Sequence, residues 1–142
     1  SAIRIRYGNF TYYTGGDIEG ELVDADGKIL LDEVKAAARF LMERGVGEAV
    51  AIHFPEGGYG LRKSGEECYE PSFRVEPKDI VSSVGAGDAF CAAMLYALHE
   101  ELPIEKSLRV ANAAARFNLF SATSTDGAPT IAEIEEFLSQ HE

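Results

Sequence analysis

Apolar and polar residues alternate along the first fourteen positions. Ile3, Ile5 and Tyr7 fall on one side of an extended chain, and Arg4 and Arg6 on the other. Gly8-Asn9 interrupts the run before Phe10, Tyr12 and Tyr13, so the pattern predicts a β-hairpin over residues 1–14. Gly15-Gly16-Asp17 ends it, and a polar, acidic stretch follows to Lys28. Within that stretch Asp24-Ala25-Asp26-Gly27 reads as a turn. It is not a calcium loop, because the spaced ligands and closing Glu are missing.

The period then changes. Leu30, Leu31, Val34, Ala37, Ala38, Leu41 and Met42 recur at helical spacing, and Gly45 stands where a helix-ending glycine belongs. A helix is predicted over residues 30–44. Ala49-Val50-Ala51-Ile52 is a short apolar run, as expected of a buried parallel strand. Gly57-Gly58-Tyr59-Gly60 reads as a turn with strand material after it, and Cys68 to Val75 as another strand between Pro71 and Pro77. Phe90, Ala93, Met94, Ala97 and Leu98 predict an apolar helix over residues 86–100. Pro103 suits the start of a further helix reaching about Ser121. Thr130-Ile131-Ala132-Glu133 forms a capping-box sequence in front of Ile134 and Leu138, which starts the last helix. Strands alternating with helices imply an α/β domain with a partly parallel sheet.

Composition narrows the function. With 142 residues the chain has room for one sizeable core. Thirteen basic residues against 24 acidic ones leave −11, which argues against gripping nucleic-acid backbone or an anionic membrane. A small phosphate ligand remains open, because backbone N–H groups hold one without net positive charge. Cys68 and Cys91 make neither a disulfide framework nor a metal-ligand spacing, so unbridged thiols in a reduced compartment are expected. No run approaches the length of a membrane span, and Ser1-Ala2-Ile3-Arg4 does not open a signal peptide. A soluble, cytoplasmic protein is expected.

The chemistry concentrates in Ser83-Val84-Gly85-Ala86-Gly87-Asp88-Ala89-Phe90. Two glycines flank an alanine where a loop becomes a helix, so the backbone can approach an anion closely. The first helical turn offers unpaired N–H donors and the positive end of the dipole, which together make a phosphate cradle. Asp88 stands at its edge, where a carboxylate could take a proton from an attacking hydroxyl. The same residues also suit a plain turn followed by a dipole-favoured aspartate. His53 reads as a packing residue at a strand end rather than a catalytic group.

Residues 82–95, from Ser82-Ser83-Val84-Gly85-Ala86-Gly87-Asp88 to Met94-Leu95, resemble the C-terminal signature of the ribokinase-like (PfkB) carbohydrate kinases. The likeness extends to the helix of residues 30–44 with its following strand, to residues 102–118 around Ala111-Asn112-Ala113-Ala114, and to Gly127-Ala128-Pro129-Thr130 with the last helix. It covers roughly residues 23–140. It implies a ribokinase-like (Rossmann-like) three-layer α/β fold, with residues 23–142 as the C-terminal nucleotide-binding half; residues 1–22, the N-terminal hairpin and turn, match nothing in the family.

The resemblance further implies an ATP-dependent phosphotransferase acting on a hydroxyl of a sugar or similar small molecule. Asp88 would be its general base, and the backbone of Gly85, Ala86 and Gly87 its anion hole. Asn112 would line the adenine pocket. Gly58 would belong to a nucleotide-contacting turn, and Gly127 and Ala128 would lie by the nucleotide, where some relatives hold a monovalent cation. Mg2+ would bridge the phosphates, with no dedicated metal ligands in the chain. The alternative is a non-catalytic nucleotide-binding module, or an incomplete part of such a kinase.

Three departures stand out. Ser82-Ser83 replaces the family's Asp-Thr, so one carboxylate is absent. Pro55 replaces the first glycine of the Thr-x-Gly-x-x-Gly turn, removing an N–H donor. The N-terminal half that supplies most sugar contacts in such kinases has no counterpart here. A homodimer, or a second polypeptide completing the site, is therefore expected, and Tyr7, Phe10, Tyr12 and Tyr13 on a hairpin too small to stand alone suggest a surface for it.

Overall fold

The computed structural model describes residues 4–7, 10–14, 29–121 and 128–141. Five strands form one sheet in the order β1-β2-β3-β4-β5: Arg4–Tyr7, Phe10–Thr14, Ala49–Phe54, Gly57–Arg62 and Glu67–Pro71. β1 pairs antiparallel with β2, from Arg4 opposite Tyr13 to Tyr7 opposite Phe10. β2 runs parallel to β3, with Phe10 opposite Ala49. The aromatic segment thus extends the backbone of the main sheet. The expected turns at Gly8-Asn9 and Asp24–Gly27, and the boundary between residues 22 and 23, lie outside the described residues. So do the side chains of β1 and β2.

The chain divides into two compact units, residues 1–69 and residues 70–142. In the first, helix α1 (Leu31–Glu43) buries Val34, Ala38 and Leu41. They meet Val50, Ile52 and Phe54 of β3 and Tyr59 and Leu61 of β4 in one core. Register explains this selection. Val50 pairs with Leu61 and Ile52 with Tyr59, so alternate residues of both strands share the helix-covered face. Burial of each large side chain contributes about 1.5–3 kcal/mol before entropy is charged against it. α1 ends as its pattern predicts, with Gly45 at φ +102 and its N–H bonded to the Met42 carbonyl.

Two readings of this unit need correction. Gly57–Gly60 is not a turn but the start of β4, and it is buried throughout. The turn is Pro55-Glu56, a two-residue connection that brings Gly57 opposite Phe54. The strand expected from Cys68 to Val75 ends at Pro71. Proline has no N–H for the ladder, and residues 72–76 are irregular.

In the second unit, α2 (Ala86–His99) packs along α3 (Ile104–Asn118), and α4 (Ile131–Gln140) packs on α3. Phe90, Met94 and Ala97 of α2 are fully buried, as are Leu108, Ala111 and Ala113 of α3. Small residues on α3 let the two backbones approach. α3 stops three residues before the expected Ser121, because Leu119 and Phe120 form a turn. α4 starts on the predicted box: Thr130 Oγ1 accepts from Glu133 N–H at 3.2 Å, and Thr130 N–H donates back to the Glu133 carboxylate at 3.1 Å. Its Phe137 ring meets Phe73 edge-on at 4.8 Å. Among the described residues no helix is long and apolar enough to cross a membrane.

Candidate functional site

The entrance to α2 is built by the glycines. Gly85 holds φ +87 and ψ −7 at the helix N-cap, a left-handed conformation that a residue with a Cβ adopts at a cost. The chain therefore turns sharply into the helix. Upstream, Ser82 Oγ accepts the Val84 N–H at 3.1 Å, and Ala86 N–H donates to the Ser83 carbonyl at 3.3 Å. The two serines in place of Asp-Thr thus fold the loop with their own hydroxyl and carbonyl groups. The helical ladder begins with Ala89 N–H to Gly85 O at 2.9 Å. Gly87 and Asp88 lie ahead of that first rung, at the positive end of the helix dipole.

Asp88 is exposed in the first turn of α2. Its charge reaches Cys91 one turn on. Burial, and secondly the Asp88 carboxylate, push the Cys91 thiol up to about 11. Cys91 is therefore protonated at neutral pH and inert as a nucleophile. Neither Cys68 nor Cys91 forms a disulfide.

Gly85, Ala86, Gly87 and Asp88 form one continuous surface at the start of α2. Asn112 lies on α3 in the same unit, with 2% of its surface exposed. Its Nδ2 donates to the Glu70 carbonyl at 3.1 Å and the Pro71 carbonyl at 3.3 Å, which ties α3 to the end of β5. Its Oδ1 is buried without a hydrogen-bond partner among the described residues. Ala128 is exposed two residues before the Thr130 cap, and Gly127 lies outside the described residues. Gly58 sits in the other unit, buried on β4 opposite His53. No group of three or more His, Cys, Asp or Glu side chains suited to a metal occurs among the described residues.

Asn118, at the end of α3, went unnoticed in the sequence. It is fully buried, and its Nδ2 donates to the Val84 carbonyl at 2.8 Å. The available signal was a polar residue at a position where the helical period calls for an apolar one, on the face shared with Ala111 and Ala114.

His53, partly buried on β3, behaves as a neutral side chain, because desolvation pushes its pKa down to about 4 from 6.5. The unfolded chain then takes up a proton on acidification before the folded one does. Stability is therefore full above the unfolded value of 6.5 and falls as pH drops toward 4. The loss is at most about 3 kcal/mol. Urea midpoints measured between those pH values should fall less steeply in His53→Gln than in the parent. Equal slopes would contradict the assignment.

Comparison with known proteins identifies the relatives of this arrangement. A family model for pfkB family carbohydrate kinases matches residues 20–131. The chain is 38% identical over 129 residues to ribokinase of Bacillus subtilis, covering 86% of this chain and 43% of that protein. It is 36% identical over 92 residues to 5-dehydro-2-deoxygluconokinase of Geobacillus kaustophilus, covering 65% of this chain and 27% of that protein. A solved ribokinase II from E. coli, in complex with ATP and Mg2+, superposes with TM-score 0.66 at 27% identity over 77% of this chain and 34% of the other. The chain spans less than half the length of these relatives.

Proposed function

Because the chain belongs to the pfkB family of carbohydrate kinases, we propose that residues 85–88 are the phosphoryl-transfer site of an ATP-dependent sugar kinase. The acceptor is a hydroxyl of a sugar or a similar small molecule. The supporting observation is the start of α2, where the positive φ of Gly85 turns the chain so that Gly87 and Asp88 precede the first helical rung.

The steps follow from these groups. The backbone of Gly85, Ala86 and Gly87 holds the transferring phosphoryl against the positive end of the helix. N–H donors at this turn stabilise the charge that accumulates on the equatorial oxygens, the Ala86 N–H by exchanging its 3.3 Å bond to the Ser83 carbonyl for one to phosphate. Asp88 accepts the proton of the acceptor hydroxyl as its oxygen bonds to the γ-phosphorus, and the bond to the β-phosphate oxygen breaks to leave ADP. Mg2+ would be held by the phosphates of the nucleotide and would supply neutralisation of their charge. Asn112 fixes the wall beside the adenine through its hold on the Glu70 and Pro71 carbonyls, and Ala128 lies along the nucleotide. A monovalent cation would be held beside Ala128, where it would balance phosphate charge.

In this reading residues 23–142 are the C-terminal, nucleotide-binding half of a ribokinase-like kinase working in the cytoplasm. The hairpin of residues 1–14 caps the exposed sheet or packs on another chain. The chain covers 43% of the Bacillus subtilis ribokinase, so acceptor phosphorylation is proposed for the whole protein and nucleotide binding for these 142 residues.

Calorimetry of this chain with Mg·ATP should give one site with a Kd of roughly 1 μM–1 mM, the usual span for enzyme substrates. A coupled ADP-release assay across a sugar panel, on a form that includes the acceptor-binding half, should then show turnover. Binding without turnover would support the narrower reading, a nucleotide-binding module. Absence of binding would defeat both.

A further inference from the structure

We infer that Asn118 is a positioning residue for the phosphate loop, a role that rests on the reading of residues 85–88 just given. The end of α3 grips the segment ahead of Gly85 at three points. Leu119 O accepts from Val81 N–H at 2.9 Å and from Ser82 N–H at 3.3 Å. Asn118 Nδ2 donates to Val84 O at 2.8 Å.

The third contact bears on the chemistry. Had the helix continued back by one residue, the Val84 carbonyl would accept the N–H of Asp88, four residues on. The left-handed Gly85 swings that carbonyl away from the helix, and Asn118 takes it up. The ladder therefore starts a residue later, at Ala89 to Gly85. Asn118 holds the loop in the conformation that keeps the Val84 carbonyl out of the ladder and so leaves the Asp88 N–H ahead of its first rung.

The remaining half of the side chain supports a functional reading over a purely stabilising one. Asn118 is fully buried, yet its Oδ1 has no hydrogen-bond partner among the described residues. A buried, unpaired amide oxygen costs stability, and a Leu of similar size would avoid that cost. Retaining Asn here gains loop geometry at the expense of packing.

The test uses Asn118→Leu, with Asn118→Ala as a second variant in case the larger side chain packs badly. In ligand-free protein, amide hydrogen exchange at Ala86 and Ala89 should rise about tenfold, the value of one hydrogen bond, while Met94 deeper in α2 is unchanged. The melting temperature should stay level or rise. The Kd for Mg·ATP should weaken about tenfold. Unchanged exchange at Ala86 and Ala89 overturns the clamp. Raised exchange with unaltered ATP affinity overturns its positioning role, and so does a loss of affinity that merely tracks global unfolding. If the parent chain binds no Mg·ATP, the phosphate-site reading fails, and the exchange data still decide whether Asn118 holds the loop.

Discussion

Asp88→Asn should lower turnover of the complete kinase by about 10²–10⁴-fold, the usual contribution of a general base, with Mg·ATP affinity changed only a few-fold. Asn has the shape of Asp but accepts no proton at the moment of attack. The substitution is mild for the fold, because residue 88 is exposed on the first turn of α2. The stability lost is the charge–dipole attraction, about 0.3–1 kcal/mol. Steady-state kcat and calorimetric Kd measured on the same preparations separate the two effects. Full turnover in Asp88→Asn would remove Asp88 as the base. Loss of nucleotide affinity in parallel with turnover would make it a binding residue instead.

Gly85→Ala should weaken Mg·ATP binding by roughly 5–30-fold. Gly85 sits at φ +87, and a Cβ in the left-handed region costs about 1–2 kcal/mol. The chain escapes that strain by flattening the turn into α2, which takes the first-turn donors away from the ligand. Gly45 supplies the control. It has φ +102 at the end of α1, and a Cβ there would meet no heavy atom within 4 Å. Gly45→Ala thus carries strain of the same kind without a phosphate site beside it. Both variants should lose similar stability in thermal melts, and only Gly85→Ala should lose nucleotide affinity. Equal affinity in both would mean that the turn at Gly85 serves the fold alone.

Local chemistry made much of the fold legible. α1 and α2 follow from helical periodicity, the end of α1 from Gly45, and the start of α4 from Thr130 and Glu133. These features depend on neighbours a few residues apart. β4 was misread because Gly57-Gly58-Tyr59-Gly60 has the composition of a turn. Its extended form depends on pairing with β3, and the short Pro55-Glu56 connection sets that register.

The site divides along the same line. Gly85, Gly87 and Asp88 suit a plain turn as well as a phosphate site, and they stood out through the signature of residues 82–95 around them. Asn112 was legible as a candidate, but its bonds to Glu70 and Pro71 bridge more than forty positions of chain. Asn118 escaped notice because its partner lies 34 residues upstream. Only the packing of α2 against α3 brings the Val84 carbonyl within reach of a buried amide. Ser82 and Ser83, noted as a departure, make the hydrogen bonds that shape the loop.

The central claim is that the backbone at the start of α2 holds phosphate, and amide chemical-shift mapping tests it most directly. Titrating the isotopically labelled 142-residue chain with Mg·ATP should move the amide signals of Gly85, Ala86, Gly87 and Asp88 along one saturating curve. Ala89 and Asn112 should follow with smaller shifts. Saturation with those four amides unmoved, or with the largest shifts elsewhere, would contradict the account.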